Sequence, residues 1–167
     1  MTTVIFIVGV SGSGKSTLMQ ALTDALGWPG IEADDLHGSS NVEKMRAGVP
    51  LTDADRWPWL DRVAAEVTRR TAHGQPVVVA CSALKRAYRD RLRAAAPDSL
   101  FVYLEGNRTV IEERLRRRQG HFMSPALIDS QFATLEPPDV TEHAITIPAN
   151  HPIEDSVHQV AAAIRSA

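Results

Sequence analysis

The eight residues 9–16 constrain the fold of this chain more than any other stretch. They read G-V-S-G-S-G-K-S, which fits the pattern G-x-x-x-x-G-K-[ST], and they directly follow the apolar run V-I-F-I-V at 4–8. Glycines let such a loop turn its backbone N–H groups inward, and a helix that starts after the loop adds the positive end of its dipole. A flexible turn is the alternative, but the strand before and the helical pattern after favour binding of ATP or GTP phosphates.

The same motif predicts roles for individual residues. Lys15 is expected to reach the β- and γ-phosphates and to be catalytic, while the Ser16 hydroxyl is expected to bind Mg²⁺. The predicted nucleotide-binding residues of this segment are Gly9, Val10, Ser11, Gly12, Ser13, Gly14, Lys15, Ser16 and Thr17.

Composition limits what else the chain can be. Its 167 residues are 44% hydrophobic, enough for one core, so we expect a single domain over 1–167. The net charge of −2 provides no field that would attract nucleic acid or an anionic membrane. The single cysteine, Cys81, excludes an intrachain disulfide and fits a reducing compartment. We therefore expect a cytoplasmic protein without nucleic-acid or membrane partners.

Short β-branched runs alternate with longer helical patterns, which predicts an α/β fold. The architecture expected is three layers, with a central parallel sheet of about five strands flanked by helices and ligands at the carboxyl ends of the strands. Strands are predicted at 4–8, 31–33, 75–81, 100–104 and 144–147, and helices at 15–26, 41–47, 53–73, 85–96, 107–118, 125–135 and 153–166. Asp53, Asn107 and the pair Ser124-Pro125 are predicted helix starts.

Acidic residues follow the second predicted strand, in E-A-D-D-L-H at 32–37. Asp34 is the candidate general base or hydroxyl-orienting group, and with Ser16 a candidate Mg²⁺ ligand, because phosphoryl transfer needs an acid beside the acceptor oxygen. The alternative is a solvated loop carboxylate or helix cap. Glu32 and Asp35 are weaker candidates, and His37 is expected to be a hydrogen-bonding loop residue or a substrate ligand.

No acid ends the third predicted strand, which leads into C-S-A-L-K-R at 81–86. The Mg²⁺-binding aspartate of motor proteins and GTPases is therefore missing at this position, which favours a small-molecule kinase. Cys81 is expected to be a small buried residue rather than a reactive thiol.

The densest positive charge is Arg114, Arg116, Arg117 and Arg118, directly before a glycine-containing loop. Such an arrangement is typical of a mobile lid, predicted here at about 117–125, that closes over a triphosphate. Arg114 and Arg117 are the expected phosphate ligands and Arg118 the catalytic arginine. The alternative is a solvated helix face.

These residues together resemble the gluconate kinase (gluconokinase) family, P-loop small-molecule kinases related in fold to shikimate kinase and adenylate kinase. The resemblance covers almost all of the chain, and Glu32 stands where the family pattern D-x-D usually has its first aspartate. The stretches that carry it are G-V-S-G-S-G-K-S at 9–16, E-A-D-D-L-H at 32–37, N-V-E-K-M-R-A-G-V-P-L-T-D-A-D-R-W-P-W-L at 41–60, C-S-A-L-K-R-A-Y-R-D-R-L-R at 81–93, Y-L-E-G at 103–106, R-L-R-R-R-Q-G-H-F at 114–122 and S-Q-F-A-T-L-E-P at 130–137.

The resemblance implies transfer of the γ-phosphate of ATP to the 6-hydroxyl of D-gluconate, with Mg²⁺, usually by a homodimer. A sugar acid needs a cation for its carboxylate, and Arg56 offers a bidentate fork, unless it forms a surface ion pair with Asp53 or Asp55. A helical region at about 35–60 is expected to hold the acceptor. The predicted acceptor-binding residues are Asp34, His37, Lys44, Arg56, Lys85 and Arg89.

Two alternative functions remain open. One is a kinase for a related hydroxy acid such as shikimate, and the other is a regulatory protein that binds a nucleotide without transferring phosphate. The acid at Asp34 favours an enzyme, because a pure binder needs no carboxylate facing the phosphates. The adenine contacts are expected from the lid region and the loop at 148–152.

Overall fold

The computed structural model describes residues 1–118 and 124–166. The strands in these ranges are β1 Val4–Val8, β2 Gly30–Glu32, β3 Val77–Ala80, β4 Leu100–Glu105 and β5 Ala144–Pro148. The helices are α1 Lys15–Leu26, α2 Ser39–Arg46, α3 Asp53–Thr71, α4 Arg86–Ala95, α5 Arg108–Arg117, α6 Pro125–Thr134 and α7 Ile153–Arg165, and a short 3₁₀ turn spans Ala33–Leu36. Within the described ranges, none of the helices has the length and apolar content needed to cross a membrane.

All five strands are parallel, in the order β2-β3-β1-β4-β5. The central strand β1 pairs with both β3 and β4, and all five of its residues are buried, as its unbroken apolar sequence predicts. Because the strands run in one direction, the segments that follow β1, β2, β3 and β5 emerge at the same edge of the sheet. The predicted α/β fold with a five-stranded parallel sheet is confirmed.

Helices cover both faces of this sheet. On one face Phe6 and Phe101 stack with their ring centroids 4.9 Å apart and pack with Trp59 and Leu60 of α3 and Tyr88 of α4. The opposite face carries a second apolar cluster, which includes Ile5, Ile7, Leu18, Leu22 and Val160 from β1, α1 and α7. The result is the predicted three-layer arrangement, with the core split by the sheet.

Most predicted elements begin and end within about two residues of the observed ones, and one helix start differs in its cap. Thr52, not Asp53, caps α3: its hydroxyl accepts from the Asp55 N–H at 3.1 Å, and the Asp55 carboxylate accepts from the Thr52 N–H at 2.9 Å. This reciprocal capping box makes Asp53 the first helical residue and frees its side chain for other contacts. The predicted starts at Asn107 and at Ser124 are confirmed.

Candidate active site

The phosphate loop between β1 and α1 depends on glycine at three positions. Gly12 and Gly14 have left-handed φ angles of 84° and 97°. Gly9 has a φ of 152°, and a Cβ there would lie 2.8 Å from Ser13 Oγ and 3.0 Å from the Leu104 carbonyl oxygen. Gly14 is also the N-cap of α1 and has no side chain that could occupy the first N–H groups of the helix. The loop therefore leaves its backbone N–H groups open to an anion, and side chains larger than glycine at these positions would block that space.

Lys15 lies buried inside this loop. Its ammonium group donates to the carbonyl oxygens of Gly9 and Val10, each at 3.0 Å. Burial lowers the pKa of Lys15, whereas the negative charges of Asp34 and Glu32 oppose this change and Arg118 adds to it. The lysine is thus held by carbonyl oxygens of its own loop, within the electrostatic influence of Glu32 at the end of β2, Asp34 on the following turn and Arg118.

Glu32, rather than Asp34, contacts the serine of the phosphate loop. The Ser16 hydroxyl donates to Glu32 Oε2 at 2.5 Å, and burial raises the pKa of the Glu32 carboxyl although this hydrogen bond opposes the rise. Asp34 is exposed on the 3₁₀ turn and acts on the pKa values of Lys15 and His37 through its charge. Sequence reasoning underrated Glu32; its place as the last residue of β2, at the edge that carries the loop, was the available signal.

The oxygen atoms at this point suit a hard cation. Mg²⁺ binds carboxylates, hydroxyls, phosphate oxygens and water in octahedral geometry and seldom has an all-protein shell. Ser16 and Glu32 supply two such oxygens beside the phosphate cradle, with Asp34 on the following turn. The residues present therefore fit a Mg²⁺ ion bound together with a nucleotide.

A second cluster, on α3 and α4, gathers cations around Tyr88. The Tyr88 hydroxyl donates to the Asp53 carboxylate and accepts from Arg56 Nη1 at 3.2 Å, while Lys85 Nζ binds the same carboxylate at 3.1 Å. Burial raises the pKa of Tyr88 to about 12. Among the described residues Arg56 forms no ion pair, so the predicted alternative of a surface pair with Asp53 or Asp55 is not what the structure contains.

Two of the other predicted acceptor ligands are engaged with protein. Lys44 pairs with Asp55 at 2.8 Å, and the hydrogen bond from Lys44 is the main reason why the pKa of Asp55 falls to about 2. Lys85 shares Asp53 with Tyr88. To bind an acceptor, each ammonium group would have to contact it in addition to its present carboxylate partner or give up that partner.

The prediction that Arg89 binds substrate is wrong for the arrangement seen here. Its side chain is buried, and every guanidinium N–H has a protein partner: Nε and Nη2 bind the Glu142 carboxylate, Nη1 binds the carbonyl oxygens of Ala83 and Leu84, and Nη2 also binds that of Glu136. Arg89 therefore ties α4 to the segment before β5. No donor of this group remains for a ligand.

His37 directly follows the turn that carries Asp34. Its ring stacks on Trp59, with centroids 4.2 Å apart and an interplanar angle of 15°, and its Nδ1 lies 3.2 Å from Asn41 Nδ2. The Trp59 indole donates to the Ala33 carbonyl oxygen at 2.7 Å, which fixes the turn that carries Asp34. Burial lowers the pKa of His37. Asn41 was not singled out from the sequence, although its spacing of four from His37 is helical.

The predicted lid arginines meet a cavity beside α1. Arg114 donates to the carbonyl oxygens of Ser13 at 3.1 Å and Ala149 at 2.7 Å, so it joins the phosphate loop to the segment after β5. Arg117 and Arg118 line the same cavity of about 310 Å³, whose other walls include Gly14, Thr17, Pro148 and His151. Residues 119–123 of the predicted lid lie outside the described residues.

Gln131 of α6 also contacts the phosphate loop. Its side-chain oxygen accepts from the Ser11 backbone N–H at 2.6 Å. The residue belongs to the stretch S-Q-F-A-T-L-E-P at 130–137, whose role could not be assigned from local patterns because the two partners are far apart in sequence.

Comparisons with known proteins agree with this geometry. A family profile described as an AAA domain matches residues 4–138. The chain is 44% identical to a gluconokinase of Gluconobacter oxydans (strain 621H), over 86% of this chain and 80% of that protein. A crystal structure of a gluconokinase from Sinorhizobium meliloti 1021 is 43% identical, covers 99% of this chain and 94% of its own, and has a TM-score of 0.85.

A second crystal structure, of a sugar kinase from Janibacter sp. HTCC2649, is 39% identical with a TM-score of 0.92 and covers 99% of this chain and 95% of its own. A shikimate kinase from Aquifex aeolicus is only 15% identical, with a TM-score of 0.56, and shows the shared fold alone. These matches span nearly the whole chain, including the phosphate loop, the acidic segment around the end of β2 and the α3–α4 cluster. The chain therefore belongs to the gluconokinase family, within the larger family that the AAA-domain profile describes.

Proposed function

We propose that this protein transfers the γ-phosphate of ATP to the 6-hydroxyl of D-gluconate, giving 6-phospho-D-gluconate and ADP. The observation that carries the proposal is the place of Asp34 in the fold: it lies on the turn directly after Glu32, which binds Ser16 of the phosphate loop, and the Trp59 indole of α3 holds that turn through the Ala33 carbonyl oxygen. A carboxylate between a phosphate cradle and a cationic pocket is what in-line transfer to a hydroxyl of a sugar acid requires.

On the nucleotide side, the N–H groups of residues 9–17 would hold the phosphates, and Lys15 would exchange its loop carbonyls for β- and γ-phosphate oxygens. Arg117 and Arg118 would add positive charge from the cavity wall, while Arg114 fixes the wall itself. The cavity between Thr17 and the segment at 148–152 has room for the adenosine part of ATP.

Mg²⁺ bound here would neutralise phosphate charge and orient the γ-phosphate. Ser16 and Glu32 are the residues best placed to hold it directly or through water, with Asp34 as a further ligand. Glu32, with its raised pKa, would lose its hydrogen bond from Ser16 and become a metal-facing carboxylate.

On the acceptor side, Asp34 would orient the 6-hydroxyl and take up its proton. Arg56 would bind the gluconate carboxylate at the other end of the chain of hydroxyls, because its guanidinium carries a full charge with only a neutral tyrosine as a hydrogen-bond partner among the described residues. Lys85 stands beside Arg56 over the same Tyr88 ring and is the second candidate.

We further propose that the protein is cytoplasmic and acts as a homodimer on small molecules, without nucleic acid or membrane. The family membership supports these points, and the balanced charge of the chain agrees with them.

An ADP-release assay with a panel of acceptors tests the function. We expect ADP production that requires gluconate and falls at least about a hundredfold with shikimate, a nucleoside monophosphate or no acceptor, since an acceptor of different shape cannot place its anionic group at Arg56 and a hydroxyl beside Asp34 at the same time. A preference for shikimate would overturn the acceptor assignment. Nucleotide binding without acceptor-dependent turnover would favour a regulatory binding protein instead.

A further inference from the structure

Asn41 is a buried amide that serves two partners at once. It lies in the first turn of α2 with 4% of its surface exposed. Its Nδ2 donates to the Asp55 backbone carbonyl oxygen at 2.9 Å and lies 3.2 Å from Nδ1 of His37. It therefore connects the start of α3 to the histidine that stands beside Asp34.

Hydrogen-bond chemistry fixes which end of the amide faces these partners. A backbone carbonyl oxygen can only accept, so the group that faces Asp55 must be the NH₂ end of Asn41. That group has two hydrogens and no acceptor capacity, and its second hydrogen points to the histidine. The His37 Nδ1 must therefore present a lone pair, and the proton of the neutral ring must be on Nε2.

The surroundings of His37 hold the ring in place and favour its neutral form. The ring stacks on Trp59, whose own N–H holds the turn that carries Asp34. Burial lowers the pKa of His37, the charges of Arg62 and Arg56 lower it further, and Asp34 opposes them. With Nδ1 turned to α2, the Nε2 edge of the ring faces away from that helix.

We propose that Asn41 is a positioning residue which holds His37 as the Nε2–H tautomer, and that His37 donates this hydrogen bond to a hydroxyl of the acceptor. The second half of this proposal rests on the proposed function. An ionised carboxylate such as Asp34 can only accept, whereas a hydroxyl needs a donor for its lone pairs as well as an acceptor for its proton. A neutral Nε2–H supplies that donor without adding a charge, so the pair Asp34 and His37 would select an acceptor with hydroxyls at this end.

The tautomer can be measured directly in the protein without ligands. We expect long-range ¹H–¹⁵N spectra of histidine-labelled protein at pH 8, where ordinary histidines are neutral, to show His37 with an unprotonated Nδ1 and a protonated Nε2. Asn41→Asp replaces the donor by an acceptor of the same shape, so His37 should change to Nδ1–H. Ser40→Asp adds the same charge at an exposed position of the same helix and should leave the tautomer unchanged.

Three results would overturn this half of the proposal: Nδ1–H in the wild type, an equal mixture of tautomers there, or an unchanged tautomer in folded Asn41→Asp. If Asn41→Asp does not fold, because a carboxylate would face the Asp55 carbonyl oxygen, Asn41→Ala removes the hydrogen bond alone. His37 should then populate both tautomers. A single Nε2–H form in Asn41→Ala would show that Asn41 does not control the ring.

Kinetics test whether the effect reaches the acceptor through His37. Asn41→Asp should raise the KM for gluconate by about tenfold, the loss of one hydrogen bond, and leave the KM for ATP within about twofold. His37→Phe keeps a ring that can stack on Trp59 but cannot donate, and in that background Asn41→Asp should change the gluconate KM by less than about twofold. Additive effects of the two substitutions would make Asn41 a purely structural residue and contradict the proposal.

Gluconate itself separates this proposal from the proposed function. Added to the complex with a non-hydrolysable ATP analogue, gluconate should shift the His37 Nε2 resonance, and a saturating titration without any shift would overturn the donor role. If the wild type fails to phosphorylate gluconate while the Nε2–H tautomer and its reversal are observed, the acceptor assignment fails and the tautomer control by Asn41 stands.

Discussion

The phosphate side and the proposed acceptor side of this site are built in different ways. The phosphate loop is one continuous segment in which backbone N–H groups and glycine conformations do the work, with Lys15 folded into the same loop. The acceptor side is assembled from the 3₁₀ turn, α3 and α4, and its cations already contact carboxylates or a tyrosine hydroxyl. A local site built from backbone can be identified from its motif, whereas an assembled site is defined by which side chains pair.

The largest effect is expected on the phosphate side. Lys15→Ala should lower kcat by roughly a thousandfold or more, because it removes a charge that stabilises the transferred phosphoryl group in a buried site. Circular dichroism should show an unchanged fold. Arg69→Ala is the control, since it removes an exposed cation whose partner is Glu66 on the same helix. Near-normal turnover of Lys15→Ala would contradict the assignment of the phosphate loop.

Arg89 should matter for stability rather than for substrate binding. Arg89→Ala leaves the buried Glu142 carboxylate without its main partner, and breaking a buried pair in this way costs about 3–5 kcal/mol of unfolding free energy. Urea denaturation measures that loss. The gluconate KM of the remaining folded protein should stay near the wild-type value; a large rise in KM at unchanged stability would return Arg89 to the acceptor site.

Asp34 and Glu32 should separate into two roles. Asp34→Asn keeps the shape but cannot take up a proton, so kcat should fall about a hundredfold while ATP binding persists. Glu32→Gln should instead raise the Mg²⁺ concentration needed for half-maximal activity, because it removes the carboxylate beside Ser16. Steady-state kinetics over a series of Mg²⁺ concentrations distinguishes the two variants. The same dependence of activity on Mg²⁺ in both variants would show that Asp34 and Glu32 do not have separate roles.

Arg56 should contribute mainly to affinity for the acceptor. Arg56→Ala should raise the KM for gluconate about 10- to 100-fold with a smaller change in kcat, since hydrogen bonds to charged groups contribute about 1.5–3 kcal/mol. Lys85→Ala, which removes the neighbouring cation, should have the smaller effect. An unchanged KM in Arg56→Ala together with a large change in Lys85→Ala would reverse the assignment.

The smallest effect concerns the start of α3. Because the pKa of Asp55 is about 2 in the folded protein against an ordinary value of 3.8, the carboxylate stabilises the fold above about pH 4, and this contribution is lost as the pH falls from 4 to 2. The denaturant midpoint should drop over that range, and by less in Lys44→Met, which lacks the main cause of the shift. Equal drops in both proteins would show that the Lys44–Asp55 pair adds nothing measurable.

The parts of the molecule that follow from neighbouring residues could be predicted from the sequence. The strands and helices, the caps at Asn107 and Ser124 and the burial of Cys81 depend on local patterns, and the structure contains them. The Thr52 cap was missed because Asp53, Asp55 and Thr52 can all cap a helix. Only the reciprocal hydrogen bonds of the capping box decide among them.

The site could be predicted only as a set of candidates. Sequence reasoning named Arg56 first for the acceptor carboxylate, with Lys44, Lys85 and Arg89 as further candidates, but the Arg89 guanidinium is already bound by Glu142, a partner 53 residues away. The contact between Ser16 and Glu32 depends on the place of β2 in the sheet, and that of Ser11 with Gln131 spans 120 residues. Pairings of this kind arise from tertiary packing, which no local pattern encodes.

The central claim is that phosphate passes from the loop around Lys15 to an oxygen held beside Asp34, and carbon-13 NMR of gluconate labelled at C6 tests it most directly. With ATP, Mg²⁺ and the protein, the C6 resonance should shift and split into a doublet through coupling to phosphorus as ADP accumulates. ADP formation that leaves C6 as a singlet, with inorganic phosphate or phosphorylation at another carbon, would contradict the account.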